Sequence, residues 1–265
     1  MPSNVINLFP DQEIRPFVQV VDRAADTSVR PYLCRASDGN YYWCKEYENA
    51  QGPEATINEV VSSVIGEKLD APIREWRFLD VPEKLVGTYI PGSRIRLREG
   101  PVFGSLDLHN AEVDLMDIGI NFAEKDGNYE RIPRLIALWF LTNAQDLQVL
   151  FDTNADHSIW SIDHGLWFDS SEVMWRLSPS DIKSGRPEIA RPITPIPKVH
   201  WDSAITSVSR LDLNLTSEIC SLMPQEWEVP QEDIEQLVKY VVRRKSTVKE
   251  WLKEQRDKDA WRLAR

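Results

Sequence analysis

Ser37-Asp38-Gly39-Asn40-Tyr41-Tyr42-Trp43-Cys44-Lys45-Glu46 decides how the first third of the chain is read. Asp-Gly sits between Tyr32-Leu33-Cys34-Arg35 and Tyr41-Tyr42-Trp43-Cys44-Lys45, two β-prone runs, which is the pattern of a hairpin. The second strand ends on Lys45. Pro53 and Glu54 then suit a first helical turn. Ile57, Val60, Val61, Val64, Ile65 and Leu69 follow at helical spacing. Glu59 lies inside that helix, fourteen residues after Lys45. A strand lysine facing a helix glutamate is the arrangement that holds a cation ready for nucleotide phosphates. The plain alternative is a surface Lys and a surface Glu.

Working outward, Phe17–Arg23 (FVQVVDR) reads as a strand before the hairpin. Ala24–Arg30 (AADTSVR) joins the two. It has no glycine, yet Asp26, Thr27 and Ser28 suit a turn whose N–H groups face a phosphate, with Arg30 adding charge. A plain β-turn is the competing account. EWRFLD and KLVGTYI read as two further strands. Pro91-Gly92 breaks the pattern, and the stretch to GPVFGSLDL reads as a linker. The expected division is a β-rich lobe over 1–91 and a helical lobe over 92–265.

The second part opens with an apolar helix at Arg131–Leu141, ending near Thr142-Asn143. Two short strands, Asp146–Phe151 and His157–Ile162, flank the turn DTNAD. The second runs into Ile162-Asp163-His164-Gly165. Asp163 directly after a strand, with a glycine allowing a sharp turn, suits a carboxylate that holds Mg²⁺. Asp and Gly are equally ordinary in turns. His164 reads as a packing residue, since Mg²⁺ prefers oxygen. Asp146, seventeen residues before Asp163, fits a carboxylate that orients an attacking hydroxyl or accepts its proton. The competing account is a helix cap. Gln148 has the one suitable oxygen for a second metal contact. Ser170–Trp201 reads as loops with one short helix. Pro230 starts a helix with Ile234, Leu237, Val238, Val241 and Val242 on its apolar face. Arg243-Arg244-Lys245 reads as a solvated helix face.

Bulk composition bounds the rest. The chain has 265 residues, 42% hydrophobic, with 10 Trp, enough for two lobes around a cleft. The net charge of −11 argues against broad nucleic-acid binding. The 3 cysteines lack metal-ligand spacing, and no signal peptide or membrane-length apolar run stands out, so a reduced cytoplasmic protein is expected. The expected fold class is α+β, two-lobed, with chemistry between the lobes.

Taken together, SDGNYYWCKE, INEVVSSVIGEKLDAPI, GPVFGSLDL and SIDHGLWF give a sequence that resembles the HipA-like kinases, a divergent branch of the protein-kinase-like fold. The resemblance implies ATP and Mg²⁺ between the lobes and transfer of the γ-phosphoryl group, to a protein Ser/Thr or a small-molecule hydroxyl. It implies Lys45 at the α/β-phosphates, Glu59 holding it, Asp146 as catalytic Asp and Asp163 as metal ligand. It places a hinge in LVGTYIPG, with Gly87 and Tyr89 backbone and Val86 and Tyr89 side chains against adenine. Ser28 or Thr27 matches a phosphorylated loop position in some members, and an antitoxin-like regulator is the partner type it suggests. The loop Asn143-Ala144-Gln145-Asp146-Leu147-Gln148 departs from the family's Asn-x-Asp-Arg-x-x-Asn. The glycine-free loop and the missing Asn favour the alternative, a pseudokinase or nucleotide-binding regulatory module without turnover.

Overall fold

A computed structural model describes residues 15–25, 30–114, 119–169, 175, 177 and 185–265. Thr27 and Ser28, within residues 26–29 of the expected phosphate loop, lie outside the described residues, whereas Arg30 is described. The first lobe is a five-stranded antiparallel sheet. Its strands are β1 (Val18–Ala24), β2 (Tyr32–Ala36), β3 (Tyr41–Lys45), β4 (Trp76–Val81) and β5 (Gly100–Leu106), in spatial order β1-β2-β3-β5-β4. The Asp38-Gly39 turn joins β2 and β3, with Gly39 at φ 89°. Tyr42 donates its hydroxyl proton to Asp38 at 2.7 Å, tying the turn back to the strand. Helix α1 (Pro53–Leu69) follows β3 and closes on Asp70 in the left-handed conformation.

Two expectations are corrected here. KLVGTYI is not a strand: Glu83–Leu85 is a single 3-10 turn, and Tyr89 makes an isolated bridge to Arg96. Its apolar residues come as the adjacent pairs Leu85-Val86 and Tyr89-Ile90; Val86 and Tyr89 face solvent while Ile90 is buried, so no alternating face fixes a strand register. The stretch read as a linker supplies β5, which pairs with both β3 and β4. The division after Pro91 therefore cuts through the first lobe. Gly104 makes this strand easy to miss and is the reason it fits. A Cβ there would come 2.1 Å from Leu79 Cδ1 and 3.3 Å from Tyr42 Cβ.

The two faces of this sheet bury different things. Cys34, Tyr42, Cys44, Leu79 and Val102 pack with Ile90 and Leu97 in one cluster, so the segment after Leu85 covers that face. Lys45 follows Cys44 and so points to the opposite face, toward α1. Cys34 and Cys44 are free thiols, their Sγ atoms 3.2 Å apart in the covered face.

The second part begins with a small sheet, β6 (Ala111–Asp114), β7 (Gln148–Asp152) and β8 (Ser158–Ile162), in order β6-β7-β8. Strand β6 escaped the sequence reading; of its residues Val113 is exposed. Between β6 and β7 runs α2 (Asn128–Thr142). Its residues Leu135 through Leu141 are all fully buried, so α2 is the axle of the main core. Against it pack α1, α3 (Lys198–Ser207) and the 33-residue α5 (Gln231–Leu263), and α4 (Leu215–Leu222) joins the same core on α5.

Arg244 on α5 corrects the reading of a solvated basic cluster. It is fully buried, and its Nε donates to the Phe140 carbonyl at 2.9 Å while Nη1 donates to the Tyr240 hydroxyl at 3.0 Å. Burying a guanidinium requires such partners. A residue at a helical spacing that matches Val241 and Val248 shares their inward face.

Gly104→Ala is expected to lower unfolding free energy by about 1–3 kcal/mol, because Leu79 has no exposed direction in which to move. Urea titration followed by tryptophan fluorescence measures it.

Candidate active site between the lobes

The chain's order β3, α1, β8 puts three ionisable groups at one point. Lys45 ends β3, Glu59 sits in the second turn of α1, and Asp163 follows β8. Lys45 Nζ donates to Glu59 Oε1 and, at 2.7 Å, to Asp163 Oδ1. The Lys45 and Glu59 side chains are 12% and 4% exposed, whereas Asp163 keeps 31% and opens to the cleft. The expected Lys–Glu pair and the post-strand Asp are thus brought together from separations of 14 and 118 residues.

Charge explains why this buried cluster is stable. Burial alone would push the Glu59 carboxyl up and the Lys45 ammonium down. For Glu59, Lys45 and then His164 overcome burial and bring the pKa down to about 2. For Lys45, burial is outweighed by Glu59 and Asp163, and the pKa rises well above its usual value. Glu59 also accepts the backbone N–H of His164 at 3.0 Å. The His164 ring is buried, with Nε2 3.0 Å from Ser161 Oγ and its ring 4.3 Å from that of Trp167. Its Nδ1 lies 3.2 Å from Glu59 Oε2, so it packs the turn and also faces the buried carboxylate.

The turn after β8 is held by a residue that sequence reasoning passed over. Asn58, next to Glu59 and fully buried, donates through Nδ2 to the Gly165 carbonyl at 2.8 Å and the Trp167 carbonyl at 3.0 Å. Its Oδ1 accepts the Trp175 indole N–H at 2.9 Å. The signal was present as the adjacent pair Asn58-Glu59, one residue for each side of the turn. Asp163 itself adopts φ 56°, so the chain reverses on a non-glycine residue. A Cβ at Gly165 would meet Gln51 Oε1 at 3.2 Å and Ala55 Cβ at 3.4 Å, so the start of α1 lies close against the turn.

The loop after α2 is organised around Asn143 and Asp146, both at positive φ. Asn143 closes the helix in the left-handed conformation, so the capping role falls to it and not to Asp146. Asn143 Nδ2 donates to Asp169 Oδ1, a second acid beyond the turn that the sequence reading did not single out. Asp146 is exposed and accepts a hydrogen bond from Gln148 Nε2 at 3.0 Å. Register places Gln148 opposite Ile162, so the loop Asp and its neighbour lie beside the residue that precedes Asp163.

The expected hinge is corrected. Val86, Gly87 and Tyr89 belong to the segment covering the sheet face opposite Lys45; Arg96 sits 4.2 Å over the Tyr89 ring and donates to the Gly87 carbonyl. The chain leaves the sheet beside β3 at the end of β5 instead. There Asp107 accepts the Trp43 indole N–H at 2.8 Å and contacts His109 Nδ1 at 2.7 Å. Trp43, two residues before Lys45, shares its sheet face. Arg30 lies at the other end of β2, exposed and at φ 49°.

For the metal, the donor set is sparse. Among the described residues no group of three or more His, Cys, Asp or Glu forms a metal cage. Among the described residues no helix is long and apolar enough to cross a membrane.

The chain resembles the HipA-like kinases: the family model of that description matches residues 17–125. No curated protein matches the sequence. A solved structure of a Helicobacter pylori proinflammatory kinase, CtkA, is similar with a TM-score of 0.58 at 14% identity, covering 91% of this chain and 97% of that one. The Golgi casein kinase gives a TM-score of 0.47 at 13% identity, over 91% of this chain and 74% of that one. The same kinase with Mn/ADP bound gives 0.45 at 11%, over 91% and 73%. The first of these shows that the fold is the kinase fold, α+β in two lobes.

Glu59→Gln is expected to cost about 3–5 kcal/mol, since it leaves Lys45 buried with one counter-charge fewer. It should also change the acid limb. Glu59's folded pKa is depressed, so its contribution is present above its ordinary value of 4.5 and is lost as pH falls toward about 2. Stability curves of wild type and Glu59→Gln measured from pH 5 to 2 should therefore converge as pH drops.

Proposed function

We propose that this kinase-fold chain binds ATP with Mg²⁺ between its lobes and transfers the γ-phosphoryl group to a hydroxyl, that of a protein serine or threonine. The observation that carries the proposal is the single ammonium of Lys45 shared between Glu59 and Asp163. Glu59 is the permanent partner, because it is buried and tied to His164. Asp163 is the exchangeable one, because it opens to the cleft. Phosphate oxygens entering the cleft replace Asp163 at Lys45 and release its carboxylate.

Asp163 would then hold the metal, with Gln148 beside it and the phosphates completing the shell. The ion's part is to offset the charge of the transferring group. Asp146, exposed and steadied by Gln148, accepts or orients the proton of the acceptor hydroxyl. The base lies toward Trp43, against the connection that leaves β5 at Asp107. A flat indole fixed through its N–H gives a heterocycle a surface to stack on.

A nucleotide-binding module without turnover is the second reading. It is favoured by the loop in which Gln148, the candidate second ligand, gives its amide hydrogen to Asp146.

Asp146→Asn is expected to leave ATP/Mg²⁺-induced thermal stabilisation near the wild-type value and to reduce phosphoryl transfer by at least about a hundredfold. Lys45→Ala should weaken both. Thermal shift with and without ATP/Mg²⁺, followed by transfer of labelled phosphate to a generic protein substrate, reads both quantities. Stabilisation of the wild type without any transfer selects the second reading. Equal transfer by wild type and Asp146→Asn removes Asp146 from its role.

A further inference from the structure

We infer that the C-terminal lobe carries a second anion site, remote from Lys45, built to take a phosphomonoester. It is a pocket of about 360 Å³ between the extended segment ahead of α3 and the last turns of α5. That volume falls within the range of small-molecule sites. Arg186, Arg191 and Lys258 line it, against one carboxylate, Glu188. An excess of cations in one pocket stands out in a chain of net charge −11.

The cations are positioned by different means. Arg186 is braced: its guanidinium lies 5.3 Å from the Phe140 ring centre and 5.1 Å from that of Trp251, and Nη1 donates to Glu254 at 2.9 Å. Arg191 sits on backbone fixed by the Ile120 N–H donating to its carbonyl at 2.8 Å. Arg191 and Lys258 have no carboxylate partner among the described residues, so the uncompensated charge is theirs.

The independent observation is Gln255. It is only 8% exposed, lines the pocket one helical turn from Lys258, and its amide makes no hydrogen bond among the described residues. Its amide reaches solvent through the pocket and so is open to an acceptor. A ligand with several acceptor oxygens can accept from that amide while meeting the two cations. A phosphomonoester, doubly charged with three terminal oxygens, has that chemistry. The site does not depend on turnover at Asp163.

Calorimetric titration of the full chain at low ionic strength, with inorganic phosphate and separately with a phosphoserine peptide, tests the inference. Saturable binding of at least one probe is expected. Arg191→Ala with Lys258→Ala should weaken it about tenfold or more, while Arg191→Lys with Lys258→Arg retains it. Gln255→Leu should weaken it without changing ATP binding. Tighter binding of the peptide than of free phosphate assigns the site to a phosphorylated chain, and equal binding assigns it to the free anion. The inference is overturned if neither probe saturates. It is also overturned if binding survives the double alanine variant and vanishes in Lys45→Ala, which places the anion in the nucleotide cleft.

Discussion

The ammonium of Lys45, buried between two carboxylates, is the constraint on which the rest of the site depends. A lone lysine at that depth would give up its proton, and a lone Glu59 would take one. Together they keep their charges, and the attraction fixes the distance between strand β3 and helix α1. Asp163 adds a contact from the other lobe, so the same nitrogen also sets how near β8 comes to the sheet. Three elements, one of them more than 100 residues from the other two, are registered against one atom.

Apolar packing supplies what the ion cluster cannot. Helix α2 is surrounded on all sides, and α1 meets it where Gly66 leaves room for Ile73 and Leu138. The ion cluster therefore rests on a rigid base, and its desolvation is offset in part by the His164 N–H donated to Glu59. At the far side, Arg244 reaches through the core to the Phe140 carbonyl, joining α5 to the C-terminal end of α2. The loop that carries Asp146 starts from that end.

Lys45, Glu59 and Asp163 were legible because each sits at a place where local pattern changes: a strand end, a helix face, a strand-to-turn step. The hairpin was legible from Asp38-Gly39 and the start of α1 from Pro53. The hinge was not. KLVGTYI looks more like a strand than GPVFGSL, because the latter carries two glycines and a proline. What decides between them is the space beneath Leu79, which only a Cβ-free residue fills, and no local pattern reports that. Arg244 misled in the same way, since composition says surface and only the facing carbonyl of Phe140 says otherwise. Asn58 lay in plain view beside Glu59, but its partners are backbone carbonyls more than 100 residues away, which a reading of side-chain types does not register.

Asn58 has a mechanical consequence. Many kinases are switched by moving the helix that carries the glutamate away from the lysine. Here the helix grips the turn behind Asp163 through two bonds from one amide, and the indole of Trp175 locks the other end of that amide. Swinging α1 outward would strip two buried carbonyls of their donor and drag the aspartate with it. Helix and turn behave as one lever, so an off state reached by tilting would dismantle both halves of the cleft in a single cooperative step.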